Sequence, residues 1–375
     1  MAPDGPPEVP PDAPPGAPPG APPDRPADGP PDAWTRRRRY AGKNPRRFHE
    51  KYKELSPERY PSGVQKVVAA GKTPAGSHRA IMVEEILRVL APKPGEVAVD
   101  CTLGFGGHAR ALLERLRPGG RLVGLDVDPL ELPRTEERLR ASGFDAASFA
   151  VHRSNFAALP LVLAKEGLTG ADVILADLGV SSMQLDNPDR GFTYKESGPL
   201  DMRMNPSRGE PASRLIARLS EEKLARALEE HADEPYATAI ARRLKLQPIA
   251  TTADLHQIVR AAVISARPQA QKRDVDASVR RTFQALRIEV NDELASLEML
   301  LRHLPGCLTP GGRAAFLTFH SGEDRRVKKA LQAGYREGVY SAVADEVIRP
   351  SAEEVRSNPR AASAKLRWAV RTSEV

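Results

Sequence analysis

Cysteine is almost missing. Cys101 and Cys307 are the two in 375 residues, and neither belongs to a CxxC pair. That excludes a disulfide framework and a cysteine zinc site, and it fits a reducing, cytoplasmic setting. No stretch approaches the roughly eighteen consecutive apolar residues that span a bilayer, and the proline-rich start lacks the basic-then-apolar order of a signal peptide. No membrane partner is expected. No cluster of metal-ligating side chains stands out either, so no metal is expected.

What is present is unevenly spread. The formal net charge is +7. Residues 1–33, with repeats such as APPGAPPGAPPD, hold six acids and one arginine, whereas residues 34–59 hold ten basic residues and three acids. The first segment has too little apolar surface to offset the entropy of folding. The second sets Tyr40, Phe48 and Tyr52 among arginines and lysines. That is the composition of an arm for single-stranded RNA, with charge toward phosphates and rings toward bases, or of a solvated charge block. Residues 1–60 are therefore expected to be a disordered Pro-rich and basic tail. The remaining length has room for one large or two modest folded units.

The rest of the chain is organised around VAVDCTLGFGGHAR, Val97 to Arg110. A short apolar run ends in Asp100, passes glycines at 104, 106 and 107, and enters the helical pattern Ala109, Leu112, Leu113, Leu116. Glycine lets a backbone turn tightly and approach a ligand, and the free N–H groups of an opening helix face that ligand. The spacing Gly104-x-Gly106-x-x-Ala109 fits the dinucleotide fingerprint, with Asp126 placed about twenty residues on for a ribose. Alone, it implies a cofactor with an adenosine ribose and does not separate NAD from S-adenosylmethionine.

The folded part is expected from near Ser77, opening with an amphipathic helix over His78–Leu90. Strands follow at Val97–Asp100, Arg121–Val127, Ser148–His152 and Asp172–Leu178, alternating with helices. That rhythm implies right-handed crossovers and a doubly wound sheet whose ligands sit at the carboxyl ends of the strands. Asp100, Asp126, Phe156 and Asp177 fall there and should line one crevice. Beyond residue 185 the chain reads as helices at Ala212–Leu219, Glu221–His231, Tyr236–Leu246 and Thr252–Ser265. Leucines and other apolar residues from Phe283 to Leu304 then recur as one long helix. A strand at Arg313–His320 ends in His320-Ser321-Gly322-Glu323-Asp324-Arg325, and a late pair is expected near Ala342–Ile348 and at Lys365–Arg371. Seven strands with such a pair suit a methyltransferase-type sheet better than a dehydrogenase.

More specific is DLGVSSMQLDNPDRGFTYKESGPLDMRMNP, from Asp177 on. With HRAIMVEEIL, DCTLGFGGHAR, RTFQALRIEVNDEL, GGRAAFLTFHSGEDRRVKK and NPRAASAKLR, it closely resembles the ribosomal RNA small subunit methyltransferase H family. Those enzymes use S-adenosyl-L-methionine to methylate N4 of a cytidine in the decoding region of small-subunit rRNA. The resemblance spans roughly residues 78–372 and leaves 1–77 outside. It implies an α/β class I methyltransferase fold, Rossmann-like, with a seven-stranded sheet in two parts (77–185 and 283–375) around an inserted all-helical subdomain (186–282). It also implies cofactor contacts from Gly106, Gly107, His108, Asp126, Phe156, Asp177 and Gln184. The implied partner is small-subunit rRNA or the 30S subunit, with a homodimer left open. Gly322 stands where the family usually has leucine, and Ala362 where it usually has arginine.

Amine methylation asks for a fixed cofactor, a base out of its stack, and an acceptor that holds the exocyclic N–H. Asp126 is expected to accept both ribose hydroxyls, Phe156 to pack on adenine, and Asp177 and Gln184 to lie near the methionine or the reacting centre. Asp177 is the first catalytic candidate, because an acid after four apolar residues is costly as mere capping. His320 is the second, weighed against a structural hydrogen bond or an RNA contact. For Asp128, Asp186 and Asp201, capping and turn roles are at least as strong. Arg190, Arg203 and Arg287 read as phosphate contacts or as solvated arginines. Two other classes stay open: an NAD-dependent oxidoreductase from the glycine fingerprint, and a non-catalytic RNA-binding assembly factor from the basic arm.

Overall fold

Residues 80–373 are described by the computed structural model. The tail at 1–60 and its basic arm lie outside the described residues. After helix α1 (Val83–Leu90), five short apolar runs form parallel strands: β1 (Val97–Asp100), β2 (Arg121–Asp126), β3 (Phe149–Arg153), β4 (Ala171–Asp177) and β5 (Leu308–Thr318). Two more, β6 (Tyr340–Val343) and β7 (Lys365–Arg371), complete the order β3-β2-β1-β4-β5-β7-β6, with β7 antiparallel to both its neighbours. This is the class I methyltransferase sheet that the sequence implied. Between the strands run α2 (Gly107–Leu116), α3 (Glu131–Ala141) and α4 (Leu159–Lys165).

Strand period decides the layers. On β4, Val173 and Leu175 join Leu90, Leu112 and Leu116 on one face. Ile174 and Ala176 join Leu163, Leu300, Leu304 and Val327 on the other. Residue by residue, β5 repeats the alternation, with Ala315 and Leu317 on the first side and Ala314 and Phe316 on the second. A sheet covered on both faces explains why its strands read as nearly continuous apolar runs.

After β4 come a short helix, α5 (Ser182–Asp186), and then α6 (Ala212–Arg218), α7 (Glu221–Ala232), α8 (Ala237–Leu244) and α9 (Thr252–Ala266). Their apolar faces build a separate core with Leu215, Leu224, Leu228, Ile240, Leu255 and Val259. The single helix expected over Phe283–Leu304 is instead two, α10 (Lys272–Asn291) and α11 (Glu293–Cys307), parted at Asp292, whose φ is +55°. Aspartate tolerates that left-handed conformation, and the apolar spacing continues across it, so the break is hidden in the pattern. The two halves serve different cores: Val275, Val279 and Leu286 pack in the helical one, and Leu297, Leu300 and Leu304 against the sheet. Helix α12 (Ser321–Arg336) follows β5, and α13 (Ala352–Ser357) precedes β7. The late strand expected near Ala342–Ile348 starts earlier, at Tyr340, and Ile348 makes an isolated bridge to Leu366. Among the described residues no helix is long and apolar enough to cross a membrane.

Candidate active site

The carboxyl ends of β1, β2 and β4 open into a cavity of about 1230 Å³, also lined by Arg203, Met204, Arg287, Asn291 and Glu293 from the helical side. A single small-molecule site occupies roughly 300–1,000 Å³, so this space can take two reactants. The glycines make its floor. Gly106 caps α2 with φ +81°, and a Cβ there would come within 2.9 Å of Thr135 Cγ2. A Cβ on Gly107 would meet Ala80 Cβ at 2.8 Å. No side chain caps α2, so its first N–H groups are left for a ligand.

At the end of β2, Asp126 accepts the Gly104 N–H on Oδ2 (2.8 Å) and the Asp128 N–H on Oδ1 (2.9 Å). Burial pushes its pKa up to about 6, against the pull of those amides. Two anchored carboxylate oxygens with lone pairs to spare fit a diol. Phe156 begins a turn that Asn155 caps by accepting the Ala157 N–H (2.8 Å), and Asn155 Nδ2 donates to Ser296 Oγ on α11 (3.0 Å). The aromatic face is thus held between β3 and α11, where a flat ring can pack.

Asp177 ends β4. Its N–H donates to Thr102 Oγ1 (2.7 Å), which fixes the end of this strand beside that of β1. Its carboxylate, about 29% exposed, stands 3.4 Å from His108 Nε2. His108 itself is buried. Burial alone would lower the imidazole pKa, but Asp177, then Asp100 and Glu354, raise it above the ordinary histidine value. Asp100 lies behind them, 1% exposed and off the cavity wall, with Oδ2 lacking any hydrogen-bond partner. Its pKa is pushed up to about 6 by burial, opposed by His108.

Gln184 is held by a reciprocal cap with Ser181 and donates from Nε2 to Asp128 Oδ2 (2.7 Å). That oxygen also accepts Arg190 Nη1 (2.8 Å), and Arg190 Nη2 reaches the carbonyls of Arg203 (3.1 Å) and Met204 (2.8 Å). Asp128 Oδ1 accepts the Leu130 N–H in a turn just ahead of α3, the turn role its sequence context suggested; the helix itself has no side-chain cap. It is also the hub of a buried ionic cluster, which the sequence did not signal because its partners lie 56 and 62 residues away. Arg190 is therefore buried, not solvated. Arg287 makes a two-pronged pair with Glu293 (2.7 and 2.8 Å), and Arg203 pairs with Asp201. Asp186 pairs with Arg360.

Gly106, Gly107, His108, Asp126, Phe156, Asp177 and Gln184 all line the one cavity. His320 is not among the lining residues. It caps α12, its ring 3.1 Å from Glu323, and Glu323 faces the cavity in its place. Burial works to raise the pKa of Glu323, but His320 and Arg287 hold it below the usual carboxylate value. The signal was present in His320-Ser-Gly-Glu323, which has the spacing of a capping box. Free amides, a diol acceptor, an aromatic face and a carboxylate at the next strand end form a donor set that fits S-adenosylmethionine.

Comparison with known proteins agrees with the geometry. The model of the MraW methylase family matches residues 75–372. The chain is 48% identical over 342 residues to a ribosomal RNA small subunit methyltransferase H 1 of Agathobacter rectalis, covering 90% of this chain and 97% of that protein. It is 41% identical over 318 residues to a ribosomal RNA small subunit methyltransferase H of Thioalkalivibrio sulfidiphilus, covering 80% and 98%. Residues from His78 on make up about four-fifths of the sequence. A match over 90% of it therefore reaches back into the segment that the resemblance left outside. The family model's own bounds, 75–372, lie within a few residues of the 78–372 over which the resemblance runs.

Proposed function

From the premise that the chain belongs to the MraW methylase family, we propose that it methylates small-subunit ribosomal RNA with S-adenosylmethionine, at the N4 amine of a cytidine in the decoding region. When bound, S-adenosylmethionine supplies an electrophilic methyl group on sulfur. Gly106, Gly107 and the first amides of α2 hold its amino-acid end, Asp126 takes the ribose hydroxyls and Phe156 packs on the adenine. Gln184, on the cavity wall, fixes Asp128, which in turn holds Arg190 and the loop that follows α5.

The observation that carries this reading is the junction of β1 and β4, where Asp177 faces a cavity with room for a second reactant. A cytosine amine is a poor nucleophile because its lone pair is delocalised into the ring. Asp177 accepts one N–H, which favours the pyramidal nitrogen and aims its lone pair. Positioning of that kind supplies most of the acceleration. The base must leave its stack to arrive there, which is cheapest in looped or single-stranded RNA. The wall carrying Arg203, Met204 and Arg208 is where the flipped nucleotide and its phosphates would be met.

The cell-level test is mass spectrometry of small-subunit rRNA from cells lacking the protein. The reading expects one N4-methylated cytidine to be lost. An unchanged modification pattern contradicts it and returns the assembly-factor reading. Calorimetry with S-adenosylmethionine and with NAD separates methyl transfer from hydride transfer.

A further inference from the structure

An N-methylated amine keeps a positive charge until one of its N–H protons leaves, so each turnover must remove one proton from the site. Asp177 is the group nearest the reacting nitrogen in the reading above, and the inference rests on that reading. It does not have to keep the proton. His108 Nε2 stands 3.4 Å from Asp177 Oδ2 and has no well-formed hydrogen bond in the free protein. Behind both, Asp100 Oδ2 is a fully buried acceptor with no partner. A lone buried carboxylate oxygen costs stability unless something uses it.

We propose that Asp177, His108 and Asp100 form a proton exit, in which His108 takes the amine proton from Asp177 and Asp100 stabilises the resulting imidazolium. The transfer balances. The amine nitrogen loses a proton and becomes neutral; the Asp177 carboxylate gains it and passes it to Nε2; the ring carries one added positive charge until the proton leaves again through the partly exposed Asp177 to solvent in the cavity. His108 acts through Asp177 and is a positioning residue, distinct from the backbone contacts that its neighbours Gly106 and Gly107 make.

The charged groups facing the ring come from three elements: Asp177 at the end of β4, Asp100 at the end of β1, and Glu354 on α13. All three favour the imidazolium. Burial opposes it, and so does the positive end of α2, on whose first turn the ring sits. Removing a carboxylate therefore lowers the His108 pKa. Because the relay needs a neutral ring at the start of the cycle, methyl transfer should rise with pH through that pKa. Asp100→Asn should move the rise to lower pH.

Two readouts on the full-length protein test this. The first is NMR titration of the His108 ring without cofactor. The wild type should titrate above an ordinary histidine, and Asp100→Asn should lower the value by about one unit. Asp177→Asn, an independent variant should Asp100→Asn fold poorly, should do the same. The second is single-turnover methyl transfer to isolated small subunits between pH 6 and 8.5. His108→Gln should lose the pH-dependent rise and run about ten- to a hundredfold slower at its plateau. Its S-adenosylmethionine affinity should stay within about threefold of wild type. An unshifted His108 titration in both variants overturns the proposal. So does a His108→Gln enzyme that keeps the wild-type pH profile or fails only through weaker cofactor binding. A wild-type protein that transfers no methyl at all contradicts the methyl-transfer reading instead, and the titration still reports whether the three groups are coupled.

Discussion

The two walls of the cavity treat buried charge in opposite ways. Where the helical segment meets the sheet, the buried ions described above are paired: Arg287 with Glu293, Glu323 of α12 with His320, and Asp128, just after β2, with Gln184 and with Arg190 from the loop after α5. On the sheet side Asp100 and Asp126 are desolvated without a cation in hydrogen-bond contact, and each has its pKa pushed up to about 6. A buried carboxylate without a counter-ion is an unfavourable native feature, tolerated at sites that must receive something. The helical wall is built to stay as it is, and the sheet edge is built for its ligands.

Variants that swap these behaviours should break the comparison. The largest effect is expected for Asp177→Ala, which removes the acceptor; the buried His108 beside it loses a carboxylate partner but leaves no buried charge when its ring is neutral. Methyl transfer should fall by about a thousandfold or more, while circular dichroism and the melting transition stay native. Full activity in that variant would refute the assigned role. Next comes Arg190→Ala, which leaves Asp128 a buried anion without a cation, held by Gln184 and the Leu130 amide, and frees the carbonyls of Arg203 and Met204. Breaking a buried pair by removing one partner costs about 3–5 kcal/mol. Chemical denaturation should show it, and a loss under 1 kcal/mol would mean that this wall is no more rigid than the other.

Asp126→Asn should act on binding more than on folding. Charge-assisted hydrogen bonds contribute about 1.5–3 kcal/mol, so S-adenosylmethionine affinity by calorimetry should fall about ten- to a hundredfold. The smallest effect is in pH. Asp100 and Asp126 have folded pKa values above the ordinary aspartate value of about 3.9, and His108 is raised as well. Groups raised on folding favour the native state as pH falls toward and through those values. The stabilised acids Glu323 and Asp324, whose pKa values are lowered, lose their contribution only below the ordinary carboxylate range. From pH 7.5 to 5.5 the free protein should thus hold or gain melting temperature. Over the same interval cofactor affinity should drop a few-fold as Asp126 takes a proton. Parallel losses of both would merge the two walls into one behaviour.

How far the sequence shows this depends on distance along the chain. The strand, glycine turn and helix from Val97 to Leu116 are legible because periodicity and glycine act locally. So is DVILAD, whose continuous apolar run marks a strand covered on both faces. The seven residues expected on the cavity wall are legible through a family resemblance as well as through strand ends. What stayed hidden is what the fold assembles from far apart: Asp128 with Arg190, Asn155 with Ser296, and Asp177 with His108. The break at Asp292 stayed hidden for another reason, since one left-handed residue leaves the apolar spacing intact. His320, a second chemical candidate weighed in the sequence against a structural hydrogen bond or an RNA contact, caps α12 with Glu323 in the fold.

The most direct measurement is transfer of labelled methyl from S-adenosylmethionine to isolated small ribosomal subunits, followed by mapping of the modified base, with wild type and Asp177→Ala run side by side. The account predicts one labelled N4-methylcytidine in the decoding region for the wild type and none for the variant. Label at another atom or base, or equal label in both proteins, would contradict it.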